Sequence, residues 1–362
     1  MSRLPAFGSI RRHLDRSAAP VESAAVILSG TMFVLSAAAA LAVFRGRDIP
    51  ISGPGSIGQF VGLAAAAAAA VVFAGTSLAV RSANPPAAGP GPGVPRGRLG
   101  WYDLAALALA HALIALLGWI AAATVVSGSF QGAKVYSLSA SLLAGAAVAV
   151  TSYAVFLAAT RLTPMLLSLI LALFLVVGMF ASMLTASDPL WWQENLSMLG
   201  TTGDVSARAF NLTLVIAGII VTTIAHYATS ALPARTGQEQ RGQRRVRSGL
   251  TLIGVLLACV GLLPVDEYFG LHTLAASGMA LVYIALVAAL RRLIPAIPQT
   301  FLILGYVFVA AILVLAVFFA TGYYTLTAVE LAAFVMIFSW LLILIRNTDA
   351  MHSPAGARST GQ

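Results

Sequence analysis

The chain has 362 residues, 59% of them hydrophobic and only 9% charged, with a mean hydropathy of +0.92. Soluble domains carry about 25% charged residues, so this chain cannot coat a water-exposed surface, and its length reads as one helical membrane bundle rather than two or three soluble domains. A net charge of +9 would suit nucleic acid, but the arginines fall between apolar runs and not on a basic face interleaved with aromatics, so nucleic acid is excluded and charge becomes a topology signal.

Residues 1–20 form a basic tail with Arg3, Arg11, Arg12 and Arg16. The first apolar run, Val21–Phe44, is longer than a cleavable signal core and reads as an uncleaved signal anchor. Ile57–Val80 follows, with a mildly hydrophobic centre at Ala64–Ala70, and the two runs make an N-terminal membrane unit over 21–81. Residues 82–100 are rich in Pro, Gly and Ala and read as a cytoplasmic linker. Tyr102–Val126 and Val135–Thr160 form a helix pair within 101–162.

Pro164–Leu184, Ala209–Leu232, Gly249–Leu263, His272–Leu290, Phe301–Thr321 and Thr325–Ile345 come next, with a tail over 347–362. Most runs reach the roughly 20 residues that cross about 30 Å of hydrocarbon, and Gly249–Leu263 is the shortest. The expected fold is all-α, a polytopic integral membrane bundle of about ten transmembrane helices with both termini in the cytoplasm. The expected location is the cell (plasma or inner) membrane.

Arginine placement sets the orientation. With the N-terminus inside, cytoplasmic segments collect 17 of the 21 basic residues, and Arg45, Arg47, Lys134 and Arg208 are the four left outside. The stretch Pro233–Ser248 reads as a basic cytoplasmic loop, where Arg241, Arg244, Arg245 and Arg247 could meet anionic inner-leaflet lipid. Small residues at helical spacing, Gly62 with Ala66 and Ala70, and Gly145 with Ala149, suit close helix packing in lipid and leave the oligomeric state open.

No nucleotide loop, dinucleotide fingerprint, HExxH or GxSxG elbow is present, and no cofactor is called for. Cys259 is the lone cysteine. The histidines (His13, His111, His226, His272 and His352) never fall at ligand spacing from one another, so no metal site is expected.

Ionisable groups at membrane depth are the better pointers. His111 lies about ten residues, some 15 Å, past Trp101 and so near the midplane. It reads either as a neutral interhelical histidine or as a proton relay or substrate contact. Asp103 and Glu22 sit at helix starts, and His226 lies near a cytoplasmic end.

The external side is richer. The segment Ala186–Arg208 holds Asp188, Trp191, Trp192, Glu194 and Asp204, and the next external turn holds Asp266 and Glu267 ahead of His272. Glu330 lies about five residues, or 8 Å, inside the last helix. The two tryptophans suit the headgroup belt. These groups either converge on a pocket for a cation, an amine headgroup or acid–base chemistry on a lipid, or serve as helix caps opposing the external arginines.

The segments WWQENLSMLGTTGDVSARAFN, from Trp191, and GLLPVDEYFGLHTLAASGMA, from Gly261, resemble the prokaryotic membrane family called domain of unknown function 998. The matching positions are Ser197, Leu199, Gly200, Phe210, Asn211, Gly261, Pro264, His272 and Ala275. A weaker likeness extends to Frag1/DRAM/Sfk1-type six-helix membrane proteins, which include a factor in lipid remodelling of membrane anchors. The resemblance implies a six-helix core over 163–346 and singles out Ser197, Asn211, Asp266 and His272. It implies no reaction.

Three functions follow as expectations. The first is a lipid-associated protein, enzyme or accessory factor, working at the outer leaflet through Ser197, Asp266, His272 and Glu330, with Trp191, Trp192, Glu194 and Asn211 as binding candidates and membrane lipids as partners. The second is a secondary transporter using His111, and the third a structural or accessory subunit.

Overall fold

A computed structural model describes residues 18–83, 100–201, 203–230 and 236–350. Arg3, Arg11, Arg12, His13, Arg16, Arg96, Arg98, Arg235, His352 and Arg358, with most of the 82–100 linker and most of both tails, lie outside the described residues. The described residues include ten helices long and apolar enough to cross a membrane. Ile27, Leu63, Leu143, Val176, Leu274 and Ile303 are all more than half exposed. Such outward apolar faces are stable against lipid tails and not against water. The protein is an all-α, multi-pass membrane protein, and its chain divides into two compact units, Met1–Leu162 and Thr163–Gln362.

The first unit contains α1 (Ala18–Phe44), α2 (Ile57–Ala83), α3 (Trp101–Ser129) and α4 (Ser137–Thr160). Helix α4 packs on α1 and α2, and α2 packs on α3. Small residues permit this. A Cβ on Gly145 would lie 3.0 Å from the Phe33 carbonyl of α1, and one on Gly62 would lie 3.1 Å from the Leu116 carbonyl of α3. The buried stripe of α2 continues from Gly62 through Ala65 and Ala69, with Ala66 and Ala70 at its margin. Its mildly hydrophobic centre is thus a helix-packing surface within a continuous 27-residue helix.

Two-residue strands β1 (Ile49–Pro50) and β2 (Lys134–Val135) pair antiparallel at one end of this unit. Beside them Lys134 Nζ meets Asp48 Oδ2 at 2.9 Å. That hydrogen bond, and then the charge of Asp48, hold the Lys134 pKa above its usual value. Glu22 accepts a hydrogen bond from Tyr153, and Asp103 Oδ2 accepts the Gly100 N–H at 2.6 Å, closing the start of α3.

The second unit contains α5 (Pro164–Thr185), α6 (Val205–Ser230), α7 (Gly237–Leu262), α8 (Phe269–Leu293), α9 (Gln299–Ala320) and α10 (Leu326–Ala350). Each helix packs on the next, and α10 packs back on α5, so the six close into a ring. Helix α5 starts where Thr163 Oγ1 accepts the Leu166 N–H and Pro164 fills the first turn. Helices α6 and α7 cross at glycine: a Cβ on Gly254 would fall 2.6 Å from the Gly218 carbonyl oxygen, so neither position admits a side chain without separating the pair.

The basic stretch expected as a loop is instead the first three turns of α7. Thr236 and Glu239 form a reciprocal capping box, and Gly242, Val246, Leu250, Ile253 and Leu257 continue one buried face. At about 1.5 Å per residue this helix is longer than the hydrocarbon is thick, so its basic start projects beyond it. Arg241, Arg244 and Arg245 are exposed there, whereas Arg247 Nε donates to Thr229 Oγ1 at 2.8 Å. Gln243 donates to the Thr229 carbonyl.

Candidate functional site

Helix α7 ends at Leu262 because Pro264 cannot continue its hydrogen-bond ladder. The carbonyls of its last turn then need partners from elsewhere. One comes from the next helix. The chain turns through 264–268, Tyr268 N–H donates to Pro264 O at 2.9 Å, and α8 opens with His272 in its first turns. His272 Nδ1 lies 2.6 Å from the Leu263 carbonyl oxygen. A carbonyl only accepts, so Nδ1 carries the proton. In the neutral ring Nε2 is then an acceptor, and Ser197 Oγ lies 2.9 Å from it. Both side chains are buried, with Ser197 8% and His272 5% exposed.

Ser197 sits on a short 3-10 turn, Leu196–Gly200, fastened at both ends. At its start the Leu196 N–H donates to Glu330 Oε2 at 2.6 Å. Glu330 lies four residues into α10, about 6 Å along the helix. At its end Asn211 Nδ2 donates to Gly200 O at 3.0 Å, and Ser206 Oγ to Leu199 O at 3.4 Å. Ser206 is in turn paired with Ser182 of α5 at 2.9 Å. A Cβ on Gly261 would fall 2.6 Å from the Asn211 carbonyl, so the glycine near the end of α7 lets the start of α6 come close. A hydroxyl and an imidazole from separate segments therefore meet at one end of the ring, and a carboxyl from a third segment holds the backbone of the turn that carries the hydroxyl; arginine placement assigns this end to the outside.

The other candidates are placed differently. Trp191 is half-buried and Trp192 exposed on a 3-10 turn, Trp191–Gln193, that lies with the Ser197 turn against α10. Glu194, Asp266 and Glu267 are exposed. Asp188 accepts the Leu190 N–H at 2.8 Å, and Asp204 accepts Ala207 N–H at 2.9 Å and Ser187 Oγ–H at 2.6 Å, so these two acids act as turn and helix caps. In the first unit His111 is buried, stacked on Phe73 with ring centroids 4.6 Å apart, and its Nδ1 lies 2.7 Å from the Leu107 carbonyl of its own helix. His226 is exposed.

Several groups at the site were not singled out by sequence reasoning: the Leu263 carbonyl, Ser182, Ser206, Asn195 and Thr327. Asn195 stands at the N-terminal boundary of the Ser197 turn without a side-chain capping hydrogen bond, and Thr327 stands three residues before Glu330 on α10. The i, i+3 spacing of Thr327 and Glu330 was the available signal. Asn195 Oδ1 and Thr327 Oγ1 are buried without a hydrogen-bond partner.

Chemically, a hydroxyl hydrogen-bonded to an imidazole that a second acceptor holds in one tautomer is the arrangement of a general-base-activated nucleophile. Comparison with protein-family models, with curated proteins and with solved structures finds no match to this chain.

Proposed function

We propose that this is a lipid-acting acyl-transfer protein of the cell membrane, with Ser197 as nucleophile and His272 as general base at the outer leaflet. The observation that carries the reading is the buried 2.9 Å approach of Ser197 Oγ to His272 Nε2, with Nδ1 held by the Leu263 carbonyl.

In the first step Ser197 Oγ bonds to the carbonyl carbon of a lipid ester while its proton passes to His272 Nε2. The ester C–O bond breaks, the leaving alcohol takes that proton, and an acyl-serine remains. A second alcohol, or water, then gives a proton to Nε2 and attacks the acyl carbon. Ser197 Oγ leaves and regains the proton. Glu330 is a positioning residue in this scheme, acting on Ser197 through the Leu196 N–H.

The test is phospholipid turnover by the full-length protein in nanodiscs carrying fatty-acid-labelled lipid. Loss of label transfer or release in both Ser197→Ala and His272→Gln, with the wild type active, is expected. Turnover that persists in Ser197→Ala refutes the assignment.

A further inference from the structure

At the end of the second unit that arginine placement assigns to the cytoplasm, α7 and α8 are pressed together at glycine. A Cβ on Gly242 would run into the Leu293 carbonyl oxygen, and one on Gly249 would lie 2.7 Å from the Leu286 side chain. These glycines, about two turns apart, mark the face of α7 turned to α8 and set Gly242 level with Leu293. The face turned to α6 is marked by Arg247 at Thr229 and by Gly254 at the Gly218 carbonyl. At about 100° per residue, Arg245 lies roughly 60° and Arg241 roughly 100° round α7 from Gly242, in the direction away from α6. Helix α8 meets α9 and α10 through Val287, beside Gly305, and Tyr283, against Trp340. Arg292 lies roughly 100° from Leu293, in the direction away from both.

Arg241, Arg245 and Arg292 therefore border one groove, on the outer side of the α7–α8 pair, within about 6 Å of one another in height. All three are exposed, and none makes a hydrogen bond or ion pair among the described residues. Glu239, the only acidic residue in either helix, is held in the capping box that opens α7. Three guanidiniums without a counterion repel one another, and a phosphate between them removes that repulsion and meets their paired N–H donors. Beneath them the groove is apolar. By the same helical spacing, Leu252 and Leu256 of α7 and Ala285 and Ala289 of α8 continue this side toward the hydrocarbon, with Leu252 45% exposed. A basic rim above an apolar groove suits a ligand that carries both a phosphate and an acyl chain.

We infer that Arg241, Arg245 and Arg292 form a headgroup site for an anionic phospholipid of the inner leaflet, with its acyl chain in the groove between α7 and α8. Arg244 and Arg291 are exposed nearby, but each lies on the face of its helix turned away from the other helix. Arg247 is committed to Thr229. The site lies at the opposite end of the ring from Ser197 and His272 and does not rest on their chemistry.

The full-length protein in detergent is titrated separately with phosphatidylglycerol and phosphatidylcholine, and lipid-bound species are resolved by native mass spectrometry. An arginine near the membrane surface is worth roughly fivefold in affinity for anionic lipid. Wild type is expected to bind phosphatidylglycerol over phosphatidylcholine by on the order of a hundredfold, the product of three such contributions. Arg245→Gln and Arg292→Gln each lower that ratio roughly fivefold, whereas Arg244→Gln lowers it by less than about twofold. All three variants replace exposed side chains that hold nothing in place, so folding is preserved.

A ratio near one in wild type overturns the inference. So does an equal loss in Arg244→Gln and Arg245→Gln, the mark of diffuse basic charge that attracts any anionic lipid. Glycerol phosphate, a headgroup without chains, is titrated in parallel. Binding as tight as that of the lipid would leave the apolar groove without a part and overturn the assignment to a membrane lipid.

Discussion

Replacing Glu330 with alanine removes the acceptor from the Leu196 N–H, the contact that fastens the start of the Ser197 turn to α10. The bond is short, 2.6 Å, and links segments 134 residues apart, so no neighbouring group replaces it. A hydrogen bond to a charged group is worth about 1.5–3 kcal/mol, and a buried N–H left unmade costs a similar amount. If that stabilisation is local to the turn, opening of the Leu196 amide becomes roughly 10- to 150-fold more frequent. Hydrogen-exchange mass spectrometry of a peptide spanning residues 191–201 reads this directly. Glu330→Gln keeps an oxygen in place and is expected to retain at least half of the protection. An unchanged exchange rate in Glu330→Ala, or equal loss in both variants, would refute the claim that this carboxyl positions Ser197 through the backbone.

Two further outcomes follow from the first unit. His111→Phe keeps the ring stack on Phe73 and leaves the Leu107 carbonyl its ordinary helical N–H, so destabilisation below about 1.5 kcal/mol is expected, read as a small shift in detergent melting temperature. Loss of folding, or loss of a solute-uptake activity in that variant, would restore His111 as a functional group. Lys134, the only lysine in the sequence, has its pKa raised by Asp48. The contribution of this exposed pair is fully present below pH 10.5 and is lost as pH rises through the higher folded-state value. Asp48→Asn is therefore expected to move the Lys134 titration down toward 10.5, measured by NMR of the singly labelled, reductively methylated side chain.

The ten spans were legible because lipid demands a continuous apolar run for each crossing, and hydropathy measures that demand. The same measure failed at the start of α7. Arg241, Arg244 and Arg245 make the stretch polar, while its helical signal lies in the periodic buried face of Gly242, Val246 and Leu250. Motif likeness and membrane depth had separately marked Ser197, His272 and Glu330. Their meeting is a tertiary fact, since Ser197 and His272 are 75 residues apart and are joined only when α7 ends at Pro264 and α8 returns. Asp188 and Asp204 belong to the same external group of acids as Glu330, but acids next to turns and helix starts are consumed by nearby N–H groups. Asn195 and Thr327 drew no notice because a neutral polar residue near a helix start reads as an ordinary cap. Only burial without a partner distinguishes them.

Nucleophilicity at Ser197 is the point on which the functional account turns. Full-length protein in nanodiscs, treated with a lipid-like fluorophosphonate and digested for mass spectrometry, should carry one adduct, on Ser197, that is absent from His272→Gln. An unmodified Ser197 in the folded wild-type protein, or an adduct that forms equally well without His272, would contradict it.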